Sequence, residues 1–310
     1  MNPLVVNHVN RNFNQLFIAA VITAVQQLPP PWTPHPRGRR GHDPRTVAVC
    51  CLLKEGFNLT YDGIEAYLHD SDDLHHQYDT LPGHSVIHRG MTRLSLSYIR
   101  RVMHRVIRSL RRRKMAIAVD STGFRTQNSS LWYDIRIGRQ NTRKDCLKLH
   151  ISVDIDTGII HGFTLSSWRR HDSREFSRLI THLPSLGCVL GDKALSSRRK
   201  CQLVADKKGV PYLHFRDNAT STARGHPAWR ISFRAYRQDT QAWLAVYHLR
   251  SIVESVFSSI KKRWRSYLVS RKPWMQKKEL ALKVVTYNVK QVLLVHYAME
   301  RGAPLWIPVA

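Results

Sequence analysis

The order of short apolar runs and amphipathic segments between residues 115 and 215 restricts the possible folds of this chain most strongly. The second and third runs flank Asp156-Thr157-Gly158, a turn sequence that predicts a β-hairpin. Amphipathic segments follow the third and fourth runs and predict helices, and a further helix is expected after the fifth. The order predicts an α/β fold with a mixed five-stranded sheet flanked by helices. The five runs lie at residues 116–119, 148–155, 159–165, 188–190 and 210–215.

The first and fourth apolar runs lead directly to aspartates. Asp120 closes the first run and Asp192 closes the fourth. Short, wholly apolar runs are typical of strands buried on both faces, and open α/β sheets collect their chemistry at the carboxyl ends of strands. If the two strands are neighbours, we expect these two carboxylates to lie side by side. Each could instead cap a local turn, and Asp154 or Asp156 could take the place of Asp120.

A third carboxylate lies on the segment at residues 245–264, AVYHLRSIVESVFSSIKKRW, which predicts one amphipathic helix. At about 100° per residue, Tyr247, Arg250, Glu254 and Lys261 fall on one narrow stripe beside a wide apolar arc. A solvated polar face would show the same pattern. The alternative interpretation is a functional carboxylate held among cations at the rim of a packed helix.

The spacing of Tyr247, Arg250, Glu254 and Lys261 resembles the Y-R-E-K signature of insertion-sequence DDE transposases. The two upstream aspartates strengthen the resemblance, which spans about residues 120–261. Asp120-Ser121-Thr122, Lys148-Leu149-His150 with Asp154, and His171-Asp172 fit looser parts of the family pattern, and Leu195 departs from it because a Tyr often stands there.

This resemblance implies a ribonuclease-H-like domain in which Asp120, Asp192 and Glu254 are the catalytic residues and the ligands of two Mg²⁺ or Mn²⁺ ions. It implies hydrolysis at the ends of the element, followed by joining of the freed 3′-hydroxyl to target DNA through two-metal phosphoryl transfer. The residue chemistry agrees, because oxygen ligands favour these ions. Two carboxylates about 4 Å apart repel by roughly 4 kcal/mol at an effective dielectric constant near 20, so three together call for cations.

The charge of the chain points to a polyanionic partner. Lys and Arg number 49 against 22 Asp and Glu, which gives a formal charge of +27 at pH 7. The resemblance implies double-stranded DNA, both terminal inverted repeats and target, bound by a homodimer. His171 and Asp172 are possible neighbours of the site, although Asp172 also suits a helix N-cap. The predicted DNA-binding residues are Tyr247, Arg250, Lys261, Lys262, Arg263, Arg198, Arg199, Arg111, Arg112 and Arg113.

Residues 1–113 predict an all-α region. Asp43, Thr60 and Ser85 are predicted helix N-caps, and further helices are expected at residues 10–28 and 97–114. Three short helices suit a helix-turn-helix DNA reader and suit any small bundle equally well. We expect residues 1–113 to form a DNA-binding and dimerisation region. Residues 114–310 are then the catalytic domain, with a C-terminal helix at 275–299 packed on its core.

Other classes fit the sequence less well. The five cysteines include no C-x-x-C pair, and their odd number favours a reducing compartment. The apolar run at residues 16–25 is too short to span a membrane, so a cytoplasmic, nucleoid-associated protein is expected. A tyrosine recombinase needs its tyrosine after the arginine cluster, whereas Tyr247 precedes Arg250. A catalytically silent, transposase-derived DNA-binding protein or repressor remains the alternative.

Overall fold

The computed structural model describes residues 1–34, 41–110, 114–126, 136, 138 and 146–306. The chain divides into two compact units. Met1–Leu110 and Leu268–Ala310 form the first, and Arg111–Tyr267 forms the second. The first unit is therefore discontinuous in sequence. In the described part of the chain, no helix combines the length and the apolar character needed to span a bilayer.

The first unit is helical, as the sequence predicts. Asp43 and Thr60 are the N-caps of α3 and α4, since their side chains accept hydrogen bonds from backbone amides within the first helical turn. The predicted cap at Ser85 is wrong, because α6 begins at His84 after Gly83. The helix expected at residues 10–28 is α2, an additional helix precedes it, and α7 is followed by the 3₁₀ turn Arg108–Leu110. These helices are α1 Pro3–Arg11, α2 Phe13–Gln26, α3 Pro44–Gly56, α4 Tyr61–His69, α5 Asp72–Gln77, α6 His84–Arg93 and α7 Leu96–Val106.

The C-terminal helix of the chain, Pro273–Glu300, packs against α7 and α3 within the first unit. The sequence analysis had assigned this helix to the catalytic domain. Its interior carries an ion pair between Lys283 Nζ and Glu279 Oε1 at 3.1 Å, and both side chains are almost completely buried. The Glu279 carboxylate also accepts hydrogen bonds from the amides of Val269 and Ser270. These contacts compensate the cost of burying the charges.

The second unit is built on a mixed sheet with the order β3-β2-β1-β4-β5. β1, β2 and β3 are antiparallel neighbours, whereas β4 and β5 continue the sheet parallel to β1. Five strands were predicted, and a short sixth strand pairs with β1 in the described sheet. The order and directions are those of a ribonuclease-H-like fold. The strands are β1 Met115–Thr126, β2 Cys146–Asp154, β3 Ile160–Ser167, β4 Leu186–Gly191, β5 Val210–Leu213 and β6 Tyr267–Leu268.

Helices cover this sheet and form its core with the apolar strand residues. Ile117 and Val189 on the central strands share one buried cluster with Phe176 and Val204 on the covering helices. Ala118, which points to the other face, is buried as well, so β1 is buried on both faces as its sequence predicts. The helices of this unit are α8 Phe176–Ile180, α9 Arg198–Asp206, α10 Pro227–Gln238, α11 Thr240–His248 and α12 Ile252–Trp264, and the C-terminal helix of the first unit is α13.

Candidate functional site

Asp120 and Asp192 follow the last paired residues of two neighbouring parallel strands. The pairing of β1 with β4 ends at Val119 and Gly191, so the two aspartates come next in register. β1 itself continues beyond Asp120, because its antiparallel partner β2 extends further than β4. Adjacent strands lie about 4.8 Å apart. The sheet therefore brings together two acids that are 72 positions apart in the sequence.

A small cavity opens at this edge of the sheet. The side chains of Asp120, Asp192 and Asp172 line it together with Ser121 and His150, and its volume is about 30 Å³. That volume has room for about one water molecule. Asp172 was predicted only as a possible neighbour of the site, and the structure places it on the cavity wall.

Asp120 is a partly buried carboxylate with several charged neighbours. Its Oδ1 accepts a hydrogen bond from the amide of Ser121 at 2.7 Å, and its Oδ2 lies 3.5 Å from Nη1 of Arg250. Burial raises the pKa of Asp120, and the nearby carboxylates of Asp192 and Glu254 raise it further. The Ser121 hydrogen bond and Arg250 act in the opposite direction. Asp120 therefore lies within the electrostatic influence of both other carboxylates.

Asp192 combines a local structural role with its position at the cavity. Its Oδ1 accepts the amide hydrogen of Lys193 at 2.7 Å, and its side chain caps the 3₁₀ turn Lys193–Leu195. The sequence analysis offered turn capping and site function as alternatives for this residue. In the structure the capping carboxylate also lines the cavity, so the two interpretations are compatible.

The segment expected to form one helix is interrupted. α11 ends at His248, a 3₁₀ turn spans Leu249–Ser251, and α12 begins at Ile252. A 3₁₀ turn has about three residues per turn instead of 3.6, so side chains before it are rotated relative to those after it. As a result Leu249, predicted on the apolar arc, is 50% exposed, whereas Tyr247 is 7% exposed.

Tyr247 is part of an aromatic cluster and does not present its ring to solvent. The ring stacks on Trp243 with centroids 5.6 Å apart and lies 5.0 Å from the ring of His214. The guanidinium of Arg250 lies over the same ring at 5.4 Å. In this structure Tyr247 supports Arg250. Its ring has no exposed face on which a DNA base could stack.

Arg250 connects the sheet to the third predicted carboxylate. Besides contacting Asp120, its Nη2 lies 3.8 Å from Oε1 of Glu254. The Glu254 side chain is 66% exposed, so it lies at the rim of the site. The sequence analysis assigned Arg250 to DNA, and the structure pairs it with both acids.

A wider, open groove runs along α12 from its first turn to its C-terminal end. Asp120 and Glu254 line it with Lys261 and Lys262, and its volume is about 610 Å³. Nζ of Lys261 donates a hydrogen bond to Oγ1 of Thr122 at 2.6 Å, which fixes this cation beside β1. Both acids and lysines thus line the groove.

The remaining described DNA-binding candidates line neither the cavity nor the groove. Arg263 lies over the ring of Trp264, and Nε of Arg198 donates to the carbonyl of Thr222 at 2.7 Å. Arg199 is exposed. Arg111, Arg112 and Arg113 lie outside the described residues.

Asp172 is held by a polar network that the sequence analysis did not assign. Its Oδ1 accepts a hydrogen bond from Nζ of Lys148 at 2.8 Å and lies 3.8 Å from Nδ1 of the buried His150. Burial alone would raise the pKa of Asp172, but hydrogen bonds from Lys148 and Ser121 lower it below its usual value. His171 is exposed and accepts the amide hydrogen of Ser173. Lys148 and His150 lie two positions apart on β2 and therefore on the same face of the sheet, which was the signal for this network.

The carboxylate oxygens of Asp120, Asp192 and Glu254 are suitable ligands for a divalent cation, but the three side chains do not surround one common position. Asp120 shares the small cavity with Asp192 and the open groove with Glu254. Among the described residues, no three His, Cys, Asp or Glu side chains lie close enough to bind one ion together. Oxygen-only donors are those that Mg²⁺ and Mn²⁺ prefer. Asp120 is the residue common to both possible positions.

Fold and site together define the class. A ribonuclease-H-like sheet with acids at the ends of its two central parallel strands is typical of metal-dependent nucleic-acid enzymes. Residues 111–289, more than half of the chain, match the family model described as the transposase DDE domain. The chain belongs to this family of DNA-acting nucleases and transferases, which generally use divalent metal ions. No curated protein and no solved structure matches the chain.

Proposed function

We propose that this protein is an insertion-sequence transposase that cuts DNA at the ends of its element and joins the freed 3′ ends to target DNA. One observation carries the proposal: Asp120 and Asp192 come next in register on adjacent strands, and Arg250 links Asp120 to Glu254. No residue need act as a covalent nucleophile in such a reaction, because a water or a DNA hydroxyl is the attacking group.

Asp120, Asp192 and Glu254 are the residues that would hold the metal ions. When bound, two divalent ions supply positive charge for the attacking and the leaving oxygen at phosphorus. In the protein by itself, Arg250 balances part of the negative charge of Asp120 and Glu254. Lys261 and Lys262 line the groove beside these acids and suit contact with DNA phosphates. Tyr247 keeps Arg250 in place.

The proposed partners follow from the same function. The terminal inverted repeats of the element and its target are the two DNA substrates, and synapsis of two ends calls for a homodimer. A cytoplasmic, nucleoid-associated location is consistent with a formal charge of +27.

Metal removal provides the first test. Purified protein incubated with a plasmid that carries the element and its flanking DNA is expected to release cut ends in Mg²⁺ or Mn²⁺. Cleavage should fall to background in EDTA and return when Mg²⁺ is restored in excess. Cleavage that persists undiminished in EDTA would overturn the proposed metal dependence.

A catalytically silent DNA-binding protein or repressor is the second candidate. The exposed position of the Glu254 side chain, outside the cavity that Asp120 and Asp192 share, favours it. This candidate predicts specific binding to the element's ends and no cutting with any divalent ion. The plasmid assay therefore separates the two functions.

Asp172 is proposed as a positioning residue for Asp120. It accepts a hydrogen bond from Ser121, whose amide in turn donates to Asp120. Replacing Asp172 with asparagine is expected to slow cleavage about 10- to 100-fold, as loss of an outer partner of a metal site does. The Mg²⁺ concentration that gives half the maximal rate should rise, whereas DNA affinity in EDTA should not change.

Asp206→Asn is the matched control, because Asp206 is exposed on α9 and accepts only a surface hydrogen bond from Gln202. Thermal melts of both variants check the fold. If Asp172→Asn leaves the Mg²⁺ dependence unchanged, Asp172 does not position Asp120.

A further inference from the structure

We infer that the exposed face of α10, Pro227–Gln238, is a docking surface for the phosphate backbone of double-stranded DNA. The helix carries Arg230, Arg234 and Arg237 and no acidic residue. The spacing of four and then three residues places the three side chains on one stripe, which runs about 10 Å along the helix. We call Arg230, Arg234 and Arg237 the arginine stripe.

The arginine stripe is free in the described structure. All three residues are exposed, and within the described part of the chain their side chains form no hydrogen bond or ion pair. Asp239 follows the helix, but its carboxylate caps α11 by accepting the amide hydrogen of Ala242 at 2.9 Å. The stripe therefore keeps its full positive charge for an external partner.

Three other cations of the same unit are paired with acids. Arg178 pairs with Glu175, Lys148 with Asp172 and Lys193 with Asp217. A merely solvated basic face needs no rigid support. Here, however, the opposite face of the helix is fixed to the core, because Oγ of Ser232 donates to the carbonyl of Pro211 at 2.9 Å.

Both ends of α10 are held as well. At the first turn, the indole of Trp229 donates to the carbonyl of Thr220, and Arg198 lies over its ring. Near the last turn, the ring of Tyr236 lies 6.2 Å from that of His214, which in turn contacts Tyr247. The helix end that carries Arg234 and Arg237 is thus tied to the aromatic cluster that supports Arg250.

Three unpaired guanidinium groups on a fixed helix suit phosphate better than the alternatives. Arginine presents a planar fork of donors that matches phosphate oxygens, and it is weakly hydrated. An acidic protein would offer carboxylates at irregular spacing, whereas a duplex offers phosphates along its whole length. The inference rests on the proposed function only in that DNA is the partner, since it requires neither metal ions nor cleavage.

The test is binding of the full chain to a fluorescent random-sequence duplex in EDTA across a series of salt concentrations. The triple variant Arg230→Ala, Arg234→Ala, Arg237→Ala is expected to bind at least about tenfold more weakly near 0.15 M salt. The slope of log affinity against log salt should fall by about 2.7, because each phosphate that is no longer neutralised lowers it by about 0.9.

A second triple variant with the same change of charge is the control. Arg169, Arg178 and Lys208 are exposed cations of the same unit, and their replacement with alanine should leave the slope within about 1 of the parent value. Circular dichroism confirms the fold of both proteins. The inference would be overturned if the slope of the stripe variant were unchanged, or if the slope of the control variant fell equally. It would also be overturned if the stripe variant bound duplex DNA normally and bound only an acidic protein or RNA more weakly. This experiment measures binding and no cleavage, so its result tests the arginine stripe even if the catalytic proposal is wrong.

Discussion

Replacing Asp120 with asparagine is expected to reduce DNA cleavage by more than about 100-fold, beyond what loss of an outer partner of a metal site costs. The amide oxygen still accepts the hydrogen bond from Ser121, so the local fold survives while the charge is removed. In Asp192→Asn the amide oxygen can likewise accept the hydrogen bond from Lys193, so the 3₁₀ turn is preserved. Glu254→Gln changes an exposed side chain and should not disturb the fold. We expect similar reductions for all three variants.

DNA binding separates loss of chemistry from loss of fold in these variants. Gel-shift affinity for the element's ends in EDTA should stay within a factor of about three, because removing an acid from a basic surface does not weaken contact with phosphate. Asp217→Asn is the control, since Asp217 is almost fully exposed and pairs only with Lys193. If all three variants cut as well as the parent protein, these carboxylates are not the catalytic residues.

Replacing Lys283 with methionine is expected to destabilise the helical unit by about 3–5 kcal/mol, which is the usual cost of removing one partner of a buried ion pair and leaving the other charge unpaired. Methionine fills a similar volume but leaves Glu279 buried without its counter-charge. The buried Glu55 lies close enough to add repulsion, and burial already raises its pKa. Urea unfolding of the full chain, followed by circular dichroism, measures the change.

Two further proteins make this experiment decisive. Lys277→Met changes an exposed lysine on the same helix and should shift stability by less than about 0.5 kcal/mol. The double variant Glu279→Gln, Lys283→Met should recover part of the stability, because no uncompensated charge remains at the pair. A Lys283→Met protein as stable as Lys277→Met would show that the ion pair does not matter.

The pair also has a pH dependence with a defined sign. Burial would raise the pKa of Glu279, but Lys283 and the amides of Val269 and Ser270 lower it below its unfolded value. Its contribution to stability is therefore complete above the unfolded pKa, about 4.3, and is lost as the pH falls through the folded value.

Local features of the fold could be predicted from short stretches of sequence. The caps at Asp43 and Thr60, the hairpin around Asp156-Thr157-Gly158 and the apolar run before Asp120 depend on neighbours within a few residues. The same local rules failed at the segment 245–264. There, packing of Tyr247 among Trp243 and His214 accompanies a 3₁₀ turn that the helical periodicity does not reveal.

Long-range partners could not be predicted in this way. The helix expected after the fifth strand was the one at residues 245–264, and α10, which precedes it, was not predicted. Arg250 was assigned to DNA although it contacts Asp120. Lys148 and His150 were noted only as parts of a family pattern, yet they hold Asp172 at the cavity. Each of these contacts joins residues from different elements, and no periodicity within one element encodes them.

The sequence by itself determined the five main strands, most of the helices, the strongly basic charge and the three acids worth considering. Periodicity and capping act over one or two turns, so they are readable along the chain. Only the tertiary structure decided that β4 lies parallel to β1, which brings Asp192 beside Asp120, and that Arg250 lies between Asp120 and Glu254. Strand order and register depend on burying the apolar faces of distant segments together, which is a property of the whole sheet.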